Sequence, residues 1–306
     1  MAYASSGSIE AAHYNGFVTS LNAIWGVGTG VRGLGQTTTL AAVSASDSIT
    51  ASQWATLLTR LKSISSHQGN DGNITIDSVT NPSAGDSIAV IANIATDIGT
   101  LDTSAAIAAV AGLGSAITDT AVTSGNFSGT ITQTNTLTFA SADKMRTFFN
   151  AGGKVTCSWS LSGHTSDSKA NEWSSLATEC GSWTILGASS SKVGGSATGT
   201  VTQSITTGLS GITGSNAQQF KQTQNTSPYT ANYMQLNASK SGGVLTLQSV
   251  WKDDAADSTY TNATHTAYDV VNGTKTTTFT VFPPSYTHIT DTFGTPSWST
   301  TVNSES

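Results

Sequence analysis

Charge is what this chain has least of. Asp, Glu, Lys and Arg make up 10% of its 306 residues, against about a quarter in ordinary globular domains. The 12 basic and 18 acidic residues leave a net charge of -6, and the basic ones never form a run. That excludes the footprint through which nucleic acid is held. Cysteine is scarce too: Cys157 and Cys180 are the whole complement. In a chain made in a cytoplasm, two such cysteines are expected as buried free thiols, and they pair only if the strand and helix that carry them meet. No apolar run is long. Ala105 to Leu113 is about half of what a bilayer crossing needs, so no membrane partner is expected. The opening MAYASSGS lacks the basic start and apolar centre of a signal peptide.

Reactive motifs are equally sparse. His13, His67, His164, His265 and His288 stand at no HxxxH or HExxH spacing, and no serine occupies a GxSxG elbow. Gly28 to Gly33 formally matches GxGxxG. A dinucleotide site needs that turn between a strand and a helix, with an acidic residue about twenty positions on. Here it follows a helical pattern, enters a Thr-rich stretch and meets Gln53. Its glycines read instead as a loop passing close to a neighbouring surface. Glu172 and Glu179 lie on nearly one helix face and offer paired carboxylates for acid–base work on a glycan. They also flank an inward stripe, where solvated charges ordinarily sit. Asp253, Asp254 and Asp257 offer oxygens to calcium, but without the alternation and glycine of an EF-hand loop they read as a solvated turn. No catalytic residue, cofactor or metal is expected.

What is there in quantity is hydroxyl. Roughly three residues in ten are Ser or Thr, so hydroxyls replace charge as the polar surface. Thr suits strands, because its branched Cβ packs on a pleated face. Seven Trp, seven Tyr and nine Phe argue for an ordered chain rather than a Ser/Thr-rich disordered one. The expectation is a β-rich protein, long enough for two domains.

One stretch sets the architecture. Ser141 caps a helix with Asp143 in its first turn, and Met145, Phe148 and Phe149 form an apolar stripe. Gly152-Gly153 then breaks it. Val155, Cys157, Trp159 and Leu161 alternate with Thr156, Ser158 and Ser160, the period of a half-buried strand. A helix lying on the strand it feeds would seed a sandwich. FFNAGG followed by this strand, and then the Trp-bearing helix NEWSSLATECGSW, resembles the C-terminal half of virion structural proteins of tailed marine phages, cyanophage myoviruses especially. MAYASSGSI and ITASQWATLLTRL resemble the N-terminal part of the same proteins. The similar segments touch about half the chain, and the middle, roughly Gly69 to Thr123, carries none of the resemblance. It implies a virion component, made in a host cytoplasm, whose partners are other virion proteins and copies of itself.

The N-terminal part repeats. Ser8-Ile9, Ala11, Tyr14, Phe17-Val18, Leu21 and Ile24 align with Ser48-Ile49, Ala51, Trp54, Leu57-Leu58, Leu61 and Ile64. Both sets are amphipathic helices, opened by Ser8 and by Thr50 or Ser48 and closed by Gly26 and Gly69. Either they pack on each other or they present their aromatics to another subunit, which makes Tyr14, Phe17, Trp25, Trp54, Leu57 and, in the tail, Trp298 the candidate assembly contacts. A short strand is expected at Ile74 to Val79. A helix capped by Asp86 or Ser87 should place Ile88, Ile91, Ala95 and Ile98 on one face, and Asp102-Thr103-Ser104 should start a second, small-residue helix. After Thr123 come strands at Gly129 to Phe139, Lys154 to Leu161, Ser182 to Leu186, Thr198 to Ser204, Asn232 to Ser239, Val244 to Lys252 and Lys275 to Phe282, with a helix at Lys169 to Glu179 and a Gly242-Gly243 hairpin.

The fold class expected is therefore α+β: a helical anchoring or assembly region, 1–123, followed by a mainly antiparallel β-sandwich, 124–306, carrying two helices. The function expected is a non-enzymatic virion structural protein associated with tail, neck or fibre. A carbohydrate-binding adhesin is the alternative, with Trp25, Tyr260, Tyr268, Tyr286, Phe293 and Trp298 as loop aromatics gripping host surface glycan. A glycan hydrolase using Glu172 or Glu179 is the third.

Overall fold

The computed structural model describes residues 10–69, 72–83, 91–104, 112–166, 168–196, 198–255, 261–262, 265–266 and 271–303. The chain is α+β and divides into two compact units. One comprises Met1–Ser115, Asp143–Gly153 and Pro283–Phe293, the other Ala116–Ala142, Lys154–Phe282 and Gly294–Ser306. The expected boundary near Thr123 is thus corrected to Ser115, since the Thr-rich run just before it is already a strand. The helical unit also takes back two later segments.

In the helical unit, α1 (Ala11–Trp25) buries Tyr14, Phe17, Val18, Leu21 and Ile24 at the expected helical spacing. Its Ser8 cap lies outside the described residues. Helix α2 (Ala51–His67) opens on a capping box in which Thr50 and Gln53 satisfy each other's backbone N–H groups. Trp54 stands 6.1 Å from the ring of Tyr14 and 6.4 Å from Phe17, so the two repeats pack on each other. Between them the chain runs extended past α1. The Asn15 and Asn22 amides each donate to and accept from one residue of it, Val43 and Leu40, at 2.8–2.9 Å. A side-chain amide here does the work of a partner strand.

The expected strand at Ile74 to Val79 is a 3-10 turn, Thr75–Ser78. Asp97 decides this, accepting from the N–H groups of Thr75 and Ile76 at 3.1 and 2.9 Å. Asp97 sits in α3 (Ile91–Ser104), and with Asp97 turned inward the buried face holds Ile94, Ile98 and Leu101, leaving Ala95 exposed. Helix α3 includes Asp102-Thr103-Ser104, the expected start of the small-residue helix; Ile88 and most of that small-residue run lie outside the described residues. Helix α4 (Ala142–Asn150), the FFNAGG helix, belongs from Asp143 onward to this unit and not to the sandwich. Its Phe148 lies 5.4 Å from Phe149 and 6.0 Å from Phe293. Gln36 binds the returning segment as the asparagines bind theirs, accepting from the N–H groups of Thr290 and Asp291 and donating to the Asp291 carbonyl.

The strand unit contains β1 (Ile117–Ser124), β2 (Thr130–Thr138), β3 (Lys154–Ser162), α5 (Ser168–Cys180), β4 (Ser182–Ile185), β5 (Ser190–Val193), β6 (Val201–Gln203), α6 (Gly208–Gly211), β7 (Ala217–Thr223), β8 (Tyr233–Ser241), β9 (Val244–Lys252), the short pair β10 (Thr261–Asn262) and β11 (His265–Thr266), β12 (Thr274–Phe282) and β13 (Ser297–Asn303). One sheet has the order β1-β12-β3-β4-β5, the other β13-β2-β9-β8-β7-β6. Every pairing in them is antiparallel. Gly242, at φ +57°, turns the β8–β9 hairpin as its sequence predicts.

Inside this unit Trp159, Trp183 and Phe220 stack at 5.7 and 5.3 Å, and beside them runs a chain of hydrogen bonds. Trp159 Nε1 donates to Ser249, Ser249 and Thr277 share a bond, and Trp251 Nε1 donates to Thr277, whose hydroxyl donates to Gln133. The chain links β3 and β12 of one sheet to β2 and β9 of the other. Buried polar groups satisfied in this way fix one register of packing.

Candidate functional site

The outward faces of the strand unit concentrate the residue type in which the sequence is richest. Across β1, β12 and β3 the register sets Thr118, Thr280 and Thr156 in one row, then Thr120, Thr278 and Ser158, then Val122, Thr276 and Ser160, then Ser124, Thr274 and Ser162. Every position is Ser or Thr except Val122, and all are exposed or half-buried. Their partners one residue on, Val155, Cys157, Trp159, Phe279 and Val281, are buried, so the alternation of the strands creates the array. Hydroxyls meet across the strands at Thr118–Thr280, 3.1 Å, and Ser124–Thr274, 3.3 Å. Chemically these four rows carry no charge and each hydroxyl both donates and accepts. The next row of the same face is Lys154 and Phe282, the ammonium 4.9 Å from the ring. The hydroxyl rows suit neutral hydrogen-bonding surfaces.

In the helical unit a cleft runs between α1 and α3. One part, about 280 Å³, is lined by His13, Gly16, Phe17, Ser20, Ala95 and Ile98. The next shares Ser20, Ala95 and Ile98 and ends at Arg32 and Asp102, whose side chains pair at 2.6 Å.

The candidate assembly contacts are mostly interior. Tyr14, Phe17, Trp25, Trp54 and Leu57 are buried, each committed to the packing of the helical unit, and that corrects their reading as a face for another chain. Phe17 alone among them borders the cleft. Trp25, read as a loop aromatic, closes α1 with the Arg60 guanidinium 3.8 Å above its ring. Trp298 is half-buried in β13, donating to the Ile117 carbonyl at 3.1 Å and lying 6.0 Å from Phe279. Phe293 is buried and Tyr286 exposed; Tyr260, Tyr268 and Asp257 lie outside the described residues.

The glycine loop carries carbonyls where a phosphate cradle would carry N–H groups. Arg146 of α4 donates to the carbonyl oxygens of Val27, Gly28, Gly30 and Arg32 at 2.7–3.3 Å, and Asn150 donates to the last two as well. The loop therefore grips a cation from its own chain, the opposite polarity to a nucleotide site. The signal for this, an arginine in a helix with an apolar stripe, is too common to read from sequence.

Glu172 and Glu179 are both half-buried on α5. Seven residues of helix set their backbones about 10 Å apart along α5. Asp253 does not face solvent beside Asp254: its side chain is buried against Lys169. Among the described residues no group of three His, Cys, Asp or Glu is placed to hold a metal ion. Cys157 and Cys180 are buried free thiols, each pushed above the usual thiol range chiefly by burial. Compared with family models, with curated proteins and with solved structures, the chain matches none.

Proposed function

We propose that this chain is a non-enzymatic structural protein of a tailed-phage virion, associated with tail, neck or fibre and assembling with other virion proteins and copies of itself. The observation that carries the reading is the hydroxyl array of β1, β12 and β3. Hydroxyl rows of this kind join surfaces through many modest hydrogen bonds and apolar methyl contacts, and such contacts survive changes of ionic strength. Repetition of one such face over identical copies is how closed symmetric assemblies form. The resemblance of the N-terminal and FFNAGG segments to virion proteins points the same way.

The direct experiment is antibody labelling of purified particles. Label at a fixed station on tail, neck or fibre supports the reading, and particles without the protein refute it. A glycan-binding adhesin is the second reading, favoured by the exposed Tyr286 ring. A glycan array on which the intact protein binds nothing removes it.

A further inference from the structure

Lys169 and Asp253 form the one lysine–carboxylate pair that is closed off from water among the described residues. Lys169 Nζ lies 2.7 Å from Asp253 Oδ2, and the two side chains are 3% and 2% exposed. The neighbouring Lys252–Asp254 pair is looser, at 3.8 Å, and solvated. We propose that Lys169 and Asp253 condense into an intramolecular isopeptide bond that ties α5 to the end of β9.

The step requires the neutral amine and the neutral carboxylic acid. Two charges taken out of water cost more than their attraction readily returns, so proton transfer within the pair to a neutral amine and a neutral carboxylic acid is favoured relative to the same pair in solvent. The amine nitrogen then attacks the carboxyl carbon Cγ. The N–C bond forms, the C–OH bond breaks, and the hydroxyl leaves as water with a proton from the nitrogen. No oxidant, cofactor or partner enters the balance. The product replaces two buried charges by one neutral amide, and a site that excludes water protects that amide from hydrolysis.

The fold also holds the two ends in place, which is what an intramolecular reaction needs: reacting atoms kept about 3 to 3.5 Å apart. Trp173, one turn on from Lys169, stacks at 6.0 Å on Trp251, two residues before Asp253, and Phe127 closes on Trp173 at 5.3 Å. The Asp253 N–H donates to the Gly129 carbonyl at 2.7 Å. Asn232 Oδ1 accepts from the N–H groups of Asp254 and Ala255 at 2.9 and 2.8 Å. Helix and strand end are therefore each fixed independently of the ion pair.

The test is the intact mass of the purified full chain, followed by tryptic mapping. The expected mass is below that of the sequence by one water, with a branched peptide holding Lys169 and Asp253, and with full sequence mass restored in Lys169→Met and Asp253→Ala. Wild-type protein that keeps its full sequence mass after prolonged warming in neutral buffer overturns the proposal. So does a one-water deficit that persists in Lys169→Met, or a branch that maps elsewhere. Should the variants fail to fold, the wild-type mass and its branched peptide still decide.

Discussion

Arg146 donates through Nη1 to the carbonyl oxygen of Arg32 at 2.7 Å, so one arginine holds the backbone of another across more than a hundred positions of sequence. With the carbonyls of Val27, Gly28 and Gly30 it completes a cage around the guanidinium. Hydrogen bonds to a charged group contribute about 1.5–3 kcal/mol where desolvated, and this side chain is 21% exposed. Arg146→Ala is therefore expected to lower stability by about 2–3 kcal/mol in urea unfolding. Arg146→Lys should restore little, because an ammonium cannot span four carbonyls as a planar fork does.

Gly33 makes the cage possible. Its φ is +102°, and a Cβ there would stand 1.9 Å from the Val27 carbonyl oxygen. Gly33→Ala combines a left-handed backbone with a clash against backbone, and should cost about 3 kcal/mol or more. Gly30, at φ +60° with open space around it, should tolerate Ala at about 1 kcal/mol. Equal losses in the two variants would contradict this account of the loop.

His67 ties the end of α2 to the turn after α4, with Nε2 donating to the Ala151 carbonyl at 2.9 Å and Nδ1 buried without a partner. Burial lowers its pKa, the Ala151 bond works against that shift, and repulsion from His288 adds to it. Below the ordinary histidine value of about 6.5 the unfolded chain takes up a proton that the folded chain refuses. Stability is thus full above that pH and declines as pH falls from it toward the lower folded value. The melting temperature should drop between pH 7 and 5.5, and His67→Gln should flatten that slope. An unchanged slope in the variant would remove His67 as its source.

The sequence reads best where interior positions are apolar. Strands β3, β9 and β12 are legible because Val155, Trp159, Leu245, Leu247, Phe279 and Val281 alternate with outward hydroxyls or amides. Strand β7 is hidden because its buried positions include Gln219 and Gln222 and its register shifts at a bulge. In β1 and β13 the alternation is masked by Asp119 and Thr300, which bond each other and Asn135. Periodicity also shows that Tyr14, Phe17, Trp54 and Leu57 bury a face without showing against what. Only the fold reveals that the answer is each other. The hydroxyl array needs strand register, and a composition rich in Ser and Thr gives no register.

The array itself can be altered without touching the core. Thr120 and Thr278 are cross-strand neighbours on its outer surface, where substitutions ordinarily shift stability by less than about 0.5 kcal/mol. Thr120→Lys with Thr278→Lys places like charges side by side. The double variant should keep the wild-type circular dichroism spectrum and melt within a few degrees of the parent, while losing the ability to associate.

Sedimentation velocity on the full-length chain, over rising concentration and at low and high salt, tests the assembly role most directly. Association that grows with concentration, holds in high salt and vanishes in the Thr120→Lys, Thr278→Lys variant is the result predicted. A chain that stays monomeric at every concentration, or an association that salt dissolves, contradicts an assembly built on the hydroxyl rows.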